Sequence, residues 1–283
     1  MTMTIYVLPF EKMHGLGNDF ILLERRHLPN NVNDFKLAKL LCDRNFAIGA
    51  DGIIIVDFSP TKEADFKWDY YNSDGSIAEM CGNGMRCFAK YVFERGLTDN
   101  TSFSVLTKAG IIFPTIETDG TVTVNIGSPT LLSDNVNVKT LSFNNQKSFN
   151  YTYLEVGNPH CVIILDSEIS DNDFKQYGPI IEKHPNFPKG VNVEFVVVKN
   201  KNRIISRVWE RGAGPTLACG TGACASLVAT NIRGLTEDSV TVQLPGGDLK
   251  TFWDKDKNTV YLNGPVSFVF TGQFNLNPKD VLS

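Results

Sequence analysis

The sequence predicts an α+β protein made of two pseudo-symmetric domains, each a mixed, barrel-like β layer wrapped around one central helix. Three observations carry this expectation. A Cys-Gly-x-Gly turn occurs twice, in MCGNGMRCFA at 80–89 and ACGTGACASL at 218–227, with the cysteines 219 − 81 = 138 positions apart. A Gly-Asn turn also recurs, in GNDFI at 17–21 and GNPHCV at 157–162, with the asparagines 158 − 18 = 140 apart. Between these turns lie short runs rich in β-branched and aromatic residues, bounded by turn residues, which read as strands. Shared order and an offset near half the chain length mark an internal repeat, where a single match would not.

Taken in chain order, residues 34–44 place Phe35, Leu37, Leu40 and Leu41 at helical spacing behind Asp34 as a cap. The runs 52–58 and 66–72 read as strands. A helix is expected after Cys81, running to about Arg95 with a basic last turn and stopping at Gly96. The runs 121–126 and 193–198 are further strands. A second helix follows Cys219 and ends at about Arg233 before Gly234, again basic in its last turn and capped by glycine. A third, looser correspondence lays DGII at 51–54 over KGVN at 189–192, at offset 138.

With 283 residues, the chain can bury two cores. Its composition, 42% hydrophobic and 20% charged, is that of a soluble globular protein, and the net charge of −4 with no basic block argues against nucleic acid or an anionic membrane as partner. No apolar run reaches the roughly 18 to 20 residues of a membrane span, and the start MTMTIYVLPFEK lacks the pattern of a signal peptide, so the cytoplasm is the expected compartment. Six cysteines are too few for a disulfide scaffold in a chain this long, and none form a C-x-x-C pair, so no metal site is expected. Cys42, Cys87, Cys161 and Cys224 read as small buried apolar residues.

Cys81 and Cys219 read differently. The first turn of a helix presents free N–H groups and a partial positive charge, and glycines there let an anion approach the backbone. A cysteine at that edge is expected to have its thiol pKa lowered from about 8.5 toward neutrality. In a duplicated protein the two turns are expected to share a cleft, with two thiols facing one anionic ligand. Stereochemical inversion beside a carboxylate uses such a pair: one sulfur removes the Cα proton and the other returns one, while helix amino termini stabilise the developing charge. No residue pattern demands pyridoxal phosphate.

At these residues the sequence resembles the diaminopimelate epimerases over its whole length. The matching blocks are FEKMHGLGNDF at 10–20, YNSDGSIAEMCGNGMRC at 71–87, GNPHCV at 157–162, ERGAGPTLACGTGACA at 210–225 and LPGGDL at 244–249. The family is similar to proline racemases in having two matched halves with one active-site cysteine each and no cofactor. The resemblance implies interconversion of LL- and meso-2,6-diaminopimelate on the way to lysine and peptidoglycan, by a cytoplasmic homodimer. It further implies domains of 1–128 plus 268–283 and 129–267.

Carried over residue by residue, the resemblance makes Cys81 and Cys219 the acid/base thiols. It gives Gly82, Asn83, Gly220 and Thr221 to the α-carboxylate, and makes His160 and Glu210 tune the thiols, Glu210 also meeting the substrate. Asn18, Asn72, Asn158, Asn192 and Arg211 become the polar shell around the rest of the ligand. Simpler roles stand beside these: Asn18, Asn72 and Asn158 suit turns, Asn192 a strand end, Glu210 with Arg211 an ordinary ion pair, and His160 a structural histidine. Two positions depart from the pattern, Gly52, where some members carry glutamine, and Pro215, where a polar residue is common. The residues also suit a proline or hydroxyproline racemase, a cysteine hydrolase with His160 as base, or a non-catalytic amino-acid-binding protein.

Overall fold

The computed structural model describes residues 5–77, 80–132, 139–143 and 147–282. Residues 78 and 79 of the block before Cys81, and residues 1–4 of the start weighed above as a leader, lie outside the described residues. The chain divides into two compact units, residues 1–124 with 265–283 and residues 125–264. These divisions fall 128 − 124 = 4 and 267 − 264 = 3 residues before the boundaries the resemblance implies.

In the first unit the sheet order is Ser267–Leu276, Tyr6–Gly15, Asn18–Glu24, Gly52–Phe58, Phe66–Asn72, Val105–Thr107, Gly110–Ile112. Two neighbouring pairs are parallel, Asn18–Glu24 with Gly52–Phe58 and Phe66–Asn72 with Val105–Thr107. A parallel pair requires a crossover, normally helical. Here the crossovers contain α1 (Asp34–Leu41) and α2 (Gly82–Glu94). The strand Gly52–Phe58 alternates its side chains between them. Ile53 and Ile55 join Leu37 and Leu41 of α1 in one core, and Ile54 faces Gly84 of α2. Both faces of that strand are therefore buried, which is why it reads as the continuous run GIIIV.

The second unit repeats the plan. Its sheet runs Lys139–Ser142, Ser148–Glu155, Pro159–Leu165, Asn192–Asn200, Arg203–Glu210, Ser239–Leu244, Gly247–Asp254, Thr259–Gly264. The parallel pairs are Pro159–Leu165 with Asn192–Asn200 and Arg203–Glu210 with Ser239–Leu244. Their crossovers contain α3 (Asp171–Glu182) and α4 (Gly220–Ile232). The register repeats too, since Phe20 lies opposite Gly52 and His160 opposite Asn192, each 140 residues later.

The two central helices are largely enclosed. Ten of the thirteen residues of α2 and eleven of the thirteen of α4 are buried, and α2 reaches solvent in its last turns, where Lys90 pairs with the exposed Glu94. For α4 the sequence explains the burial, because Ala, Leu and Val occupy every side of the helix. Strands from Ser148–Glu155 through Thr259–Gly264 pack around it. Both helices stop alike: Gly96 (φ 64°) and Gly234 (φ 68°) take the left-handed conformation. Leu97 N then donates to Val92 O, and Leu235 N to Thr230 O.

Three local expectations need correction. Asn33, not Asp34, caps α1, its side chain accepting from Lys36 N. Arg95 and Arg233 occupy the C-cap positions, and the last turns themselves carry no basic residue. Helix α3 was not expected at all, because Gly178-Pro179 lies inside it and Pro lacks the N–H that a helix interior uses. Packing overrides that cost: Phe174, Tyr177 and Ile181 join the core, and Gly178 lies so close to the Trp209 ring that a Cβ there would come within 2.7 Å. None of the described helices is long and apolar enough to cross a membrane.

Candidate active site

Both cysteines that open the central helices sit at N-cap positions with extended backbone, Cys81 at φ −144°, ψ 116° and Cys219 at φ −117°, ψ 113°. The first intrahelical bonds are Met85 N to Cys81 O and Ala223 N to Cys219 O. The amides of Gly82, Asn83, Gly220 and Thr221 thus lie in the first turns, at the positive ends of their helices.

In the first unit, Asn18 leads the strand Asn18–Glu24 and its Oδ1 meets Cys81 Sγ at 3.7 Å and Asn83 Nδ2 at 3.2 Å. Its orientation is fixed from the other end. Asn18 Nδ2 donates to Asp51 Oδ2 at 2.7 Å, and Asp51 Oδ1 accepts from Arg44 at 2.8 Å. Asn72 is held in a turn, Nδ2 donating to Ser76 Oγ and Oδ1 accepting from the Tyr70 hydroxyl, both at 2.9 Å. Tyr70 also explains Gly52, where a Cβ would lie 2.6 Å from its ring and 2.6 Å from Tyr71 O.

Asp19, next to Asn18, is bound by Lys12 at 2.6 Å and Arg44 at 2.8 Å. Burial pushes its carboxyl up, but the hydrogen bonds and charges of Arg44 and Lys12 outweigh this and bring it down to about 2. A depressed carboxylate contributes stability above its unfolded pKa, near 3.8, and that contribution is lost as pH falls through about 2. Urea melts between pH 5 and 2 are therefore expected to show less acid destabilisation for Asp19→Asn than for the parent chain. Identical pH slopes would remove Asp19 from the account.

In the second unit two carboxylates act on the cysteine directly. Cys219 is 6% exposed, and its Sγ accepts from Gly222 N at 3.3 Å and lies 3.6 Å from Thr221 Oγ1. Glu210 accepts from Thr216 Oγ1 at 2.6 Å and its charge acts on the Cys219 thiol. Burial raises the Glu210 carboxyl, and the charge of Glu194 adds to this, against the bond from Thr216 and the charge of His160. His160 is fully buried, with Nδ1 2.7 Å from Glu194 Oε1 and Nε2 2.7 Å from Asn158 Oδ1. Asn192 donates to Pro159 O at 2.9 Å and accepts from Arg211 N at 3.0 Å. The Arg211 side chain is exposed, with one contact to Lys189 O at 3.4 Å.

One electrostatic expectation is overturned. Burial, then the neighbouring carboxylates of Glu210 and Glu194, push the Cys219 thiol well above its ordinary value rather than toward neutrality. The bonds from Thr221 and Gly222 act the other way and lose. Desolvation of a thiolate here outweighs the field of one helix terminus. The bystander cysteines are buried, and burial lifts Cys42 and Cys87 to about 12.

Sequence reasoning missed Glu194, Asp51, Arg44 and Thr216. Glu194 had a signal: it is the one charge inside the apolar run VEFVVV, on the same strand face as Asn192 two residues before it. Asp51, Arg44 and Thr216 gave none, since their importance comes from what tertiary folding places next to Asn18 and Glu210.

A family model for diaminopimelate epimerase matches residues 10–132 and 152–269 of the chain. The chain is 45% identical over 276 residues to a diaminopimelate epimerase of Desulfitobacterium hafniense, covering 92% of this chain and 96% of that protein. It is 44% identical over 280 residues to one from Acetivibrio thermocellus, covering 95% and 99%. Among solved structures it is similar to a hydroxyproline epimerase from Agrobacterium vitis (TM-score 0.73, 15% identity, 96% of this chain and 93% of that one). A probable proline racemase from Agrobacterium radiobacter is also similar (TM-score 0.70, 14% identity, 97% and 94%). At such identity these two structures speak for the fold alone.

Proposed function

Since this chain belongs to the diaminopimelate epimerase family and interconverts LL- and meso-2,6-diaminopimelate in lysine biosynthesis, we propose that Cys81 and Cys219 are its two acid/base groups and that it needs no cofactor. One sulfur, as thiolate, takes the Cα proton and becomes a thiol. The other, as thiol, delivers a proton to the opposite face and becomes a thiolate, so the protonation states exchange with each turnover. The observation that carries this reading is the same device in each unit: a cysteine capping a largely enclosed, glycine-opened helix.

In this reading the first-turn amides of Gly82, Asn83, Gly220 and Thr221 hold the α-carboxylate, where helix termini stabilise the charge that builds up as the carbanion forms. Glu210 meets the reacting end and His160 acts from behind it. Asn18, Asn72, Asn158, Asn192 and Arg211 form the shell around the remainder, the exposed fork of Arg211 suiting the distal carboxylate. The product also serves peptidoglycan. The decisive experiment incubates LL-diaminopimelate with the reduced protein in heavy water without added cofactor. Deuterium at Cα of both LL and meso pools is expected; epimerisation without label would remove the proton-transfer mechanism.

The reading includes a homodimer in the cytoplasm. A reducing compartment would keep Cys81 and Cys219 as thiols, which this mechanism needs. The strand Ser267–Leu276 lies at the end of its sheet and exposes Phe268, Val269 and Phe270, and an exposed apolar edge strand invites a second copy. Light scattering is expected to give twice the chain mass, and the chain mass for Val269→Lys. A monomeric parent chain would end this part of the proposal.

A further inference from the structure

Two equivalent strand pairs hold different chemistry. The parallel pair of the first unit sets Phe20 opposite Gly52 and Leu22 opposite Ile54, and that of the second sets His160 opposite Asn192 and Val162 opposite Glu194. At the shared offset of 140, Phe20 corresponds to His160 and Ile54 to Glu194. The helices agree: a Cβ on Gly84 would meet Ile54 Cδ1 at 3.2 Å, and one on Gly222 would meet Glu194 Oε1 at 2.8 Å and Cys219 Sγ at 3.2 Å. Where the Cys81 unit buries an aromatic ring and an alkyl chain, the Cys219 unit buries an imidazole and a carboxylate, both fully enclosed.

Burying a charge without need is costly, so such an exchange calls for a reason. Glu194 Oε1 is bound to His160 Nδ1 at 2.7 Å, while Oε2, equally buried, has no hydrogen-bond partner among the described residues. The titratable groups around it are His160 and Cys161 on the adjoining strand, Glu210 on the other side, and Cys219 at the helix start.

We propose that Glu194 is a positioning residue that makes the two thiols unequal: it orients His160 and keeps negative charge beside Cys219, so that the resting enzyme holds Cys219 as thiol and leaves Cys81 to ionise first. The inference rests on the two-thiol reading for its catalytic meaning, but not for its test. Burial raises the Glu194 carboxyl and the charge and hydrogen bond of His160 offset only part of this, while the charge Glu194 carries when ionised raises Cys219. A substrate whose Cα proton faces Cys81 then meets an enzyme already in the right protonation state.

The test is alkylation of the reduced full-length protein by iodoacetamide across pH, with each cysteine followed by peptide mass spectrometry. In the parent chain Cys219 is expected to gain reactivity at higher pH than Cys81; the reverse order overturns the proposal without any variant. In Glu194→Gln, which keeps the shape and loses the charge, the Cys219 midpoint is expected to fall and its rate near neutral pH to rise roughly tenfold, as one pKa unit implies, with Cys81 unchanged. Glu194→Asp is expected to restore the parent profile. An unchanged Cys219 midpoint in folded Glu194→Gln, equal shifts of both cysteines, or Glu194→Asp behaving like Glu194→Gln would each overturn it. These readings stand even if heavy-water exchange fails, so the two hypotheses fall separately.

Discussion

Cys219→Ala and Cys81→Ala are each expected to reduce epimerisation by about 10²–10⁴-fold, the range a positioned proton-transfer group contributes. The two losses are expected to differ in kind. With Cys219 removed, Cys81 still takes a proton from its own face and returns a deuteron there, so one stereoisomer exchanges in heavy water without inverting. With Cys81 removed, the other stereoisomer behaves so. Stability is a smaller matter, because alanine fits the extended N-cap backbone of either residue and costs about 1 kcal/mol in capping at most. If both variants exchange the same isomer, the thiols do not serve opposite faces; a variant that epimerises at the parent rate removes its cysteine from the mechanism.

Gly222→Ala is expected to destabilise the protein despite placing a better helix former in α4. The propensity gain is about 1 kcal/mol. Against it, the new methyl would come 2.8 Å from Glu194 Oε1 and 3.2 Å from Cys219 Sγ. The carboxylate oxygen is the end of a side chain, but it is fully buried and tied to His160 at 2.7 Å, so moving it breaks that bond. Overpacking of this kind costs typically 1–3 kcal/mol, and the lost buried hydrogen bond adds to it. The net expectation is a loss of roughly 1–3 kcal/mol, read by urea unfolding, together with a fall in turnover because Cys219 Sγ is displaced too. Gly84→Ala is the control: its methyl would meet Trp68 and Ile54 no closer than 3.1 Å and disturb no carboxylate. A Gly222→Ala chain as stable and active as its parent would refute the packing account.

The repeat was legible because it was written in backbone-demanding residues. Cys81, Cys219 and their following glycines, and Asn18 with Asn158, recur in the same order, and the structure places them at equivalent points of two units with the same element order. What the residues say about charge was harder to read. The field of a helix terminus is visible in sequence, whereas the burial of Cys219 beside Glu194 and Glu210 is a tertiary fact, and it reverses the direction of the thiol's shift. Helix α3 escaped notice for a local reason, Gly178-Pro179, although the same offset that relates the cysteines places a partner for the Asp34–Leu41 helix at that point. His160 and Glu194 show the limit most clearly. Each looks like a lone polar residue along the chain, and only parallel pairing sets their strands side by side.

The strand Ser267–Leu276 pairs with Tyr6–Gly15 along nearly its whole length, antiparallel from Tyr6 with Leu276 to His14 with Ser267. During synthesis, therefore, Tyr6–Gly15 must wait for Ser267–Leu276 before the two can pair, while residues 125–264 form an unbroken stretch translated between them. The Cys219 unit can mature while the chain is still growing. The Cys81 unit closes only once Ser267–Leu276 has been made and the long separation from Tyr6–Gly15 has been bridged. Residues 125–264, with the buried Glu194, are thus translated in full before Tyr6–Gly15 can meet Ser267–Leu276.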